Sequence, residues 1–302
     1  MQHGSGAPYL IVAPVGAPMP VVLSSPHSGQ CYPEALVAQA RLTPEQLRAL
    51  EDGPVDELLA RGCASGATLI AATYPRALVD LNREACEQDP DSLADPASLS
   101  GLRATVKARA GLGVVPTRLL GEPIYEGRLG AAELERRLEE AYRPYHAELA
   151  ALAADRRRRF GLSLVLDCHS MPTLPPAIRG ERPIDVALGD RYGRSCHPAL
   201  VEAAERLLAG AGLRVARNRP YAGGHITELH GRPGHGSHAL QLELRRQLFM
   251  DERTHARNGG FGAVQQLLGE LTRTLSQALL DLGAARCPRQ QPLGPARALS
   301  SA

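Results

Sequence analysis

Residues 162–172 read LSLVLDCHSMP, an apolar run that ends in a histidine and predicts a buried β-strand over Ser163–Leu166. A similar stretch at 21–29, VVLSSPHSG, predicts a strand over Val21–Ser25 with His27 just beyond its end. In both places a polar side chain follows where the apolar run stops. This arrangement is typical of a layered α/β fold, in which open sheets carry functional groups at strand ends.

Outward from these two strands, short apolar runs alternate with amphipathic stretches, which favours strands separated by helices. The further strand candidates are Tyr9–Ala13, Thr68–Thr73, Leu78–Leu81, Asp185–Leu188, Arg214–Ala216 and His238–Leu244. The helix candidates are Pro44 to about Ser65, Ala131–Arg159, Pro198–Ala211 and Ala263–Leu282. Pro144 should interrupt the second of these helices, and Gly283 suits the C-terminal cap of the last.

The chain has 302 residues and 44% hydrophobic content, enough to bury a substantial core. No linker or internal repeat divides it, so we expect one domain over residues 1–285 and a disordered tail over 286–302. Residues 84–130 are rich in Gly, Pro and Asp, which predicts a long irregular stretch. Such stretches in compact domains are often lids or binding loops, and the sequence leaves open whether this one is a lid.

Composition argues against nucleic-acid and membrane partners. The net charge is +2, Lys107 is the one lysine, aromatic residues make up 4%, and tryptophan is absent. No apolar run approaches the ~18–20 residues that cross a bilayer, and the first residues do not resemble a secretory leader. The six cysteines form no C-x-x-C pair, which indicates free thiols and a cytoplasmic setting. The oligomeric state is left open.

His27 and His169 are candidate metal ligands because both follow buried strands. One such histidine is more often a hydrogen-bonded structural residue, whereas two in matching contexts strengthen the case for a metal. A catalytic zinc takes three protein ligands and keeps a position for water. Asp52 and Asp56, in EDGPVDELL on the helix after the first histidine, are candidates for the third, with surface carboxylates as the alternative. Asp167 is placed on the other face of its strand and suits a supporting or structural role.

Glu243 is the candidate general base, since hydrolysis with an activated water needs a group that moves a proton to the leaving nitrogen. It lies between leucines in HALQLELRR, where partial burial would raise its pKa toward that of a useful base. A solvent-facing strand position explains the same pattern equally well.

Arg83, beside Asn82 at the end of ALVDLNR, is the candidate clamp for a substrate carboxylate, because a guanidinium binds carboxylates through two parallel hydrogen bonds. A surface ion pair with Asp80 or Glu84 is the alternative.

The glycine-rich stretch PYAGGHITELHGRPGHG offers His225 and Thr227, which would polarise a substrate carbonyl; a flexible surface loop is the alternative reading of this stretch. The sequence contains no G-x-S-x-G elbow, no H-E-x-x-H helix and no Walker-type phosphate loop.

Several strings, taken in order, resemble the N-formylglutamate amidohydrolase family. They are SSPHSGQCYP, RALVDLNRE, LVLDCHSMP, ERPIDVALGDRYGRSC, NRPYAGGHITELHGRP and HALQLELRRQLFMDE, which extend from about residue 21 to 252. The segment GEPIYEGRLGAAELERRLEEAYRPYH resembles the family as well. The chain differs from the usual family pattern at DCHSMP and ELHGRP. These differences concern which acyl group and which amino-acid side chain of the substrate the site accepts.

The resemblance implies a zinc-exopeptidase-like (phosphorylase/hydrolase-like) α/β domain, with a mixed central sheet flanked by helices. It also implies zinc-dependent hydrolysis of N-formyl-L-glutamate to L-glutamate and formate, a step of histidine degradation. His27, Asp52 (rather than Asp56) and His169 match the metal positions, and Glu243 that of the base. Asn82 and Arg83 match the carboxylate site.

The alternatives are an amidohydrolase of another N-acyl amino acid or small formamide, and a non-catalytic binding protein on the same scaffold.

Overall fold

The computed structural model describes residues 6–176 and 180–286. The strands are β1 (Tyr9–Val12), β2 (Val21–Ser25), β3 (Thr68–Ala72), β4 (Arg118–Leu119), β5 (Glu122–Pro123), β6 (Ser163–Met171), β7 (Val186–Gly189), β8 (Val215–Arg217) and β9 (Ser237–Arg245). The α-helices are α1 (Glu34–Gln39), α2 (Pro44–Leu47), α3 (Val55–Leu58), α4 (Ala60–Ala64), α5 (Val106–Arg109), α6 (Ala131–Arg137), α7 (Arg143–Phe160), α8 (Pro198–Gly210), α9 (His225–His230) and α10 (Phe261–Arg286). None of the described helices is long and apolar enough to span a membrane.

Seven strands form one mixed sheet in the order β1-β3-β2-β6-β9-β7-β8. The four strands β3, β2, β6 and β9 run parallel, whereas β1 pairs antiparallel with β3 and β7 antiparallel with β9. Helices cover both faces of the sheet. These features confirm the predicted α/β architecture with a mixed central sheet flanked by helices, and the relation to zinc exopeptidases stays a prediction.

The sheet separates two apolar layers, because successive strand residues point to opposite faces. Val21 and Leu23 of β2 pack on the side covered by α8 and α10, whereas Val22 packs on the side covered by α7. Leu164 and Val165 of β6 divide in the same way. We call these sides the α10 face and the α7 face. Burial on both faces explains why these strands are nearly continuous apolar runs.

The helix predicted between residues 44 and 65 is broken at Gly53-Pro54, so that α2 is separated from α3 and α4. Gly53 has a φ of +72°, and a proline disfavours the helical conformation in the residue before it. Asp52 therefore lies outside any helix, contrary to the prediction. Its backbone N–H donates instead to the carbonyl of His27 at 3.1 Å.

The strand predicted at Leu78–Leu81 is wrong, because this segment folds as a turn. The N–H of Leu78 donates to the carbonyl of Pro75 (2.9 Å), and the carboxylate of Asp80 accepts from the N–H of Asn82 (2.9 Å). A carboxylate that bonds the backbone two residues further on favours a turn over extended chain. All four side chains of the segment are nevertheless buried, which is why its pattern resembled a strand.

The long helix predicted over 131–159 is interrupted near the expected place. α6 passes through a π-helical turn at Leu138–Tyr142 into α7, whose first turn contains Pro144. Proline lacks the N–H that an unbroken α-helix would use at that position, and the wider turn accommodates its ring.

The last helix continues past Gly283, so the cap predicted at this glycine is wrong. A Cβ at Gly283 would lie 3.1 Å from the Leu162 side chain, which shows that the glycine permits close packing of α10 on the start of β6. The helix ends at Arg286, one residue into the segment predicted as a disordered tail. Residues 287–302 of that segment lie outside the described residues.

Residues 84–130 are largely irregular, as predicted. Their regular parts are short 3₁₀ turns, the single turn of α5, and a two-stranded hairpin of β4 and β5. Val114 anchors the base of the segment, since it is fully buried and its backbone bonds both Glu87 and Asp80 (2.7 Å each). Leu120, at the tip of the hairpin, is 95% exposed. The role of this segment as a lid stays a prediction.

Candidate active site

His27 and His169 meet because the strands that carry them are neighbours. β2 and β6 pair in parallel with Ser24 opposite Asp167, which brings the residues after β2 beside the last residues of β6. Asp52 joins them from the link before Gly53-Pro54. The three candidate ligands are buried, with exposed fractions of 2% for His27 and 3% each for Asp52 and His169.

The ligand atoms of these three residues converge on one point. The Nδ1 atoms of His27 and His169 lie 3.1 Å apart, and Oδ2 of Asp52 lies 2.9 Å from Nδ1 of His169 and 3.3 Å from Nδ1 of His27. Metal–ligand bonds of ~2.0–2.2 Å in a tetrahedral arrangement would separate ligand atoms by about 3.4 Å. Two nitrogens and one oxygen at these distances fit a divalent ion of the zinc type.

Each histidine is oriented by a buried carboxylate at its other nitrogen. Nε2 of His27 lies 2.8 Å from Oδ1 of Asp80, and Nε2 of His169 lies 2.9 Å from Oδ2 of Asp167. With the N–H on Nε2 donating to the carboxylate, each Nδ1 keeps its lone pair for a metal, an arrangement common in metal sites.

The supporting role predicted for Asp167 agrees with this geometry, but its predicted strand face is wrong. Asp167 and His169 are two residues apart in β6, and a strand repeats every second residue, so both side chains point to the α7 face. Asp80 was considered only as an ion-pair partner of Arg83. Its position beside Asn82 in a turn was the available signal, which the strand prediction concealed.

Electrostatics at this point favour a cation. Burial raises the pKa of the Asp52 carboxyl, but the close contacts with His169 and His27 outweigh it and hold this pKa well below its usual range. Burial also raises the pKa of the Asp80 carboxyl, but Arg76 and His27 outweigh this effect and hold the pKa well below its ordinary value. Both carboxylates are therefore negative at neutral pH, and Asp52 turns its charge toward the two imidazole nitrogens.

Glu243 lies opposite His169 in the register of the parallel strands β6 and β9. Its side chain is on the α7 face and only 7% exposed, so the solvent-facing alternative is excluded. Burial raises its pKa to about 7; the neighbouring Asp52 adds to this rise, whereas His169 opposes it. Gln241 donates to Oε1 at 2.7 Å and orients the carboxyl. A carboxyl with this pKa beside the candidate ligands has the properties of a general base.

Two residues fix the backbone that carries Asp52. Ser170 donates its hydroxyl to the Asp52 carbonyl (2.7 Å), and Arg246 donates to Ser170 Oγ (3.0 Å) and to the Glu51 carbonyl (2.5 Å). Arg246 Nη2 also lies 3.7 Å from Asp52 Oδ1, the oxygen turned away from the histidines. Asp56, the other candidate third ligand, sits one turn further along in α3 and is not among the converging groups.

Asn82 and Arg83 line the cavity beside these groups. The Asn82 amide is held within the protein through Oδ1, which accepts from the N–H of Ile226 at 2.9 Å. Its Nδ2 lies 3.1 Å from His169 Nε2, but both atoms are donors when Nε2 donates to Asp167, so they form no hydrogen bond. Within the part of the chain that the structure describes, Arg83 makes only long ion pairs, at 3.6 Å to Asp80 and 3.4 Å to Glu87. Its guanidinium therefore has donors left for a ligand.

His225 and Thr227 lie in the first turn of α9, directly after the cavity-lining Gly224. Thr227 is fully buried and donates its hydroxyl to the Gly224 carbonyl at 2.8 Å, and neither side chain lines the cavity. The wall here includes Gly224 instead, where a Cβ would lie 2.5 Å from the Asn82 amide. A substrate contact by His225 or Thr227 therefore stays a prediction.

The candidate ligands and Glu243 open onto a cavity of about 570 Å³. Its wall includes four cationic side chains, of Arg76, Arg83, Lys107 and Arg246. Arg76 follows the end of β3 and Arg246 follows the end of β9, and the sequence analysis assigned neither a role. The signal was their position just after strands, the same signal that identified His27. A cavity with this charge suits an anionic small molecule.

Comparison with known proteins agrees with the geometry. The family model for N-formylglutamate amidohydrolase matches residues 19–250, which include every candidate residue above. An N-formylglutamate deformylase of Pseudomonas putida is 33% identical over 283 residues, covering 90% of this chain and 96% of that protein. One from Pseudomonas aeruginosa is 34% identical over 276 residues, covering 87% and 92%.

Solved structures show the same relation. The N-formylglutamate amidohydrolase of Ralstonia eutropha JMP134 has a TM-score of 0.84 at 40% identity, covering 90% of this chain and 98% of that one. A gene product of Agrobacterium tumefaciens shares the fold with a TM-score of 0.62 at 21% identity, covering 88% and 95%. The resemblance read from the sequence motifs is confirmed: this chain belongs to the N-formylglutamate amidohydrolase family and is an enzyme that hydrolyses an amide bond.

Proposed function

We propose that this enzyme uses zinc to hydrolyse N-formyl-L-glutamate to L-glutamate and formate. The observation that carries the proposal is the convergence of His27, Asp52 and His169 beside Glu243, in a cavity with cationic walls. The names of the relatives from two Pseudomonas species support the substrate. The products fit the histidine-degrading route that the family resemblance implies, and the five free cysteines among the described residues support a cytoplasmic setting.

His27, Asp52 and His169 would hold the ion through Nδ1, Oδ2 and Nδ1. Three protein ligands leave a fourth position open, which is the pattern of catalytic rather than structural zinc. When bound, the ion supplies Lewis-acid polarisation of the formyl carbonyl and lowers the pKa of a water molecule. Asp80 and Asp167 keep both imidazoles in the tautomer that this ligation needs.

Glu243 is the proton carrier in this proposal. As a carboxylate it accepts a proton from the attacking water, and the water oxygen then forms its bond to the formyl carbon. The protonated Glu243 delivers the proton to the amide nitrogen as the C–N bond breaks, which releases formate and the amino group of glutamate. A pKa near 7 suits both halves of this transfer at neutral pH.

Arg83 is the proposed partner of the α-carboxylate, which is attached to the carbon that bears the amide nitrogen. Its neighbour Asn82 touches His169, so the guanidinium lies on the side of the cavity nearest the candidate ligands. A planar guanidinium that binds this carboxylate would also fix the direction of the amide bond.

A hydrolysis screen tests the proposal. The purified enzyme is assayed with the N-formyl, N-acetyl and N-succinyl forms of glutamate, glutamine and methionine, each with and without a chelator. N-formyl-L-glutamate should be the preferred substrate, and chelation should stop turnover until Zn²⁺ is restored. Full activity after complete removal of metal would contradict the metal role, and preference for another acyl group or side chain would contradict the substrate assignment.

A further inference from the structure

The four cations of the cavity wall differ in what they already bind. The three arginines have acceptors within the protein: Arg76 pairs with Asp80 at 2.8 Å, Arg83 with Glu87 at 3.4 Å, and Arg246 donates to Ser170 at 3.0 Å. Within residues 6–176 and 180–286, no hydrogen bond or ion pair engages the ammonium of Lys107. Lys107 therefore presents to the cavity a positive charge that no acceptor in the described residues binds directly.

Lys107 is held near Arg83 by its own short helix. Thr105 caps α5 by accepting from the N–H of Ala108 at 3.1 Å. The same hydroxyl donates to Glu87 at 2.6 Å, and Glu87 is the partner of Arg83. The cap thus ties the helix of Lys107 to the cluster around Arg83.

This proximity leaves like charges facing one another. Partial desolvation of the ammonium at the cavity wall, followed by the positive charges of Arg83 and Arg76, lowers the pKa of Lys107. The carboxylates of Asp80 and Glu87 counteract the shift only in part. Such a concentration of positive charge is relieved when an anion enters the cavity.

We propose that Lys107 binds the distal carboxylate of the substrate and selects an acidic side chain over a neutral one. The inference rests on the proposed function, since N-formyl-L-glutamate carries one carboxylate next to the amide and a second at the end of its side chain. Arg83, beside the candidate metal ligands, takes the nearer carboxylate. Lys107, which is exposed on α5 in the irregular segment, takes the farther one.

The test compares two substrates that differ only in this charge, N-formyl-L-glutamate and N-formyl-L-glutamine. Lys107→Gln should lower kcat/KM for the glutamate substrate about tenfold, mainly through KM, because an exposed cation forms one charge-assisted contact. It should leave kcat/KM for the glutamine substrate unchanged. Lys107→Arg keeps the charge and should keep most of the preference.

Arg109→Gln is the matched control, since Arg109 is exposed on the same helix and does not line the cavity. It should not alter the ratio of the two kcat/KM values. Added NaCl should lower this ratio in the wild type toward the Lys107→Gln value and have little effect on the variant, because an exposed contact is screened.

The outcomes separate this inference from the proposed function. A wild type that hydrolyses N-formyl-L-glutamate, with a Lys107→Gln variant that keeps its ratio, overturns the role of Lys107 alone. Equal loss on both substrates also overturns it, because a wall residue without charge selectivity would act in that way. A wild type that does not hydrolyse N-formyl-L-glutamate overturns both.

Discussion

The strands that carry the proposed chemistry and the segment that carries Lys107 are opposite kinds of structure. β6 and β9 are paired along nine residues and largely buried, so His169 and Glu243 are held opposite each other, and Glu243 is also paired with β7 on its other side. Residues 84–130 contain mostly turns and reach the cavity with Lys107 and with Leu120, which is almost fully exposed. The contrast suggests that the two parts have different roles. The rigid strands position the bond-breaking groups, and the irregular segment contributes to substrate selection.

The largest expected effect comes from removing a ligand on the rigid side. His169→Ala should abolish both metal binding and hydrolysis of every substrate, because two remaining ligands hold zinc far more weakly than three. Metal content per chain is measured after gel filtration, together with turnover. His235→Ala is the control, since His235 is an exposed histidine outside the site. A variant that keeps about one metal ion per chain would show that His169 is not a ligand.

Glu243→Gln should separate chemistry from metal binding. The amide keeps the shape of the side chain but accepts no proton, so turnover should fall by about 10²–10⁴-fold while metal content is unchanged. The fall should be the same for all N-acyl substrates. Glu202→Gln, on the exposed side of α8, is the control. Near-normal turnover would make Glu243 structural, and loss of metal would mean that the ligand set is misassigned.

Arg83 lies between the rigid strands and the irregular segment, and Arg83→Ala should have an effect of intermediate size. Loss of a charge-assisted contact should lower kcat/KM about tenfold to a hundredfold for amides that carry an α-carboxylate. A neutral formamide should be almost unaffected, as should the Arg206→Ala control on α8.

The alternative is that Arg83 serves to hold Asp80 and Glu87, and thermal unfolding distinguishes the two roles. The structural role predicts a lower Tm, whereas the binding role predicts little change in Tm. Equal loss on charged and uncharged amides would defeat the assignment of Arg83 to the substrate.

The smallest expected effect is that of pH. The base must be deprotonated, and burial raises the pKa of Glu243 to about 7, so kcat/KM should fall as pH drops below that value. The decline should approach about tenfold for each further pH unit. The residual activity of Glu243→Gln should lack this acid limb. If the limb persists in the variant, another group sets the pH dependence.

The sequence predicted much of the sheet and most of the candidate site, because strands buried on both faces and the polar residues after them leave local signals. His27, His169 and Glu243 all carry that signal. Asp52 was predicted as a ligand from the motif resemblance, but it was placed on a continuous helix that the structure shows to be interrupted. The sequence contains the helix-breaking pair Gly53-Pro54, but the apolar periodicity around this pair favoured a single helix.

The contacts of Asp80 and Arg246 could not be predicted from the sequence, because they join segments that are far apart in the chain. Asp80 reaches His27 across 53 residues, and Arg246 reaches the Glu51 carbonyl across 195. The position of Asp80 beside Asn82 indicates a turn, but the local sequence does not identify the imidazole from which its carboxylate accepts a hydrogen bond. The substrate contacts of His225 and Thr227 stay a prediction, because their local motif is glycine-rich and Gly223 and Gly224 line the cavity beside them.

The pairing of His169 with Glu243 has a consequence for how the enzyme can change. Parallel pairing would tolerate one residue inserted early in β9, since any register restores the backbone hydrogen bonds. Such an insertion would nevertheless swing Glu243 into the apolar layer and bring Leu242 to the cavity, because alternation has a period of two. Insertions in surface loops away from the cavity should therefore be tolerated, whereas the two strands must keep their residue count or lose the reaction in a single step.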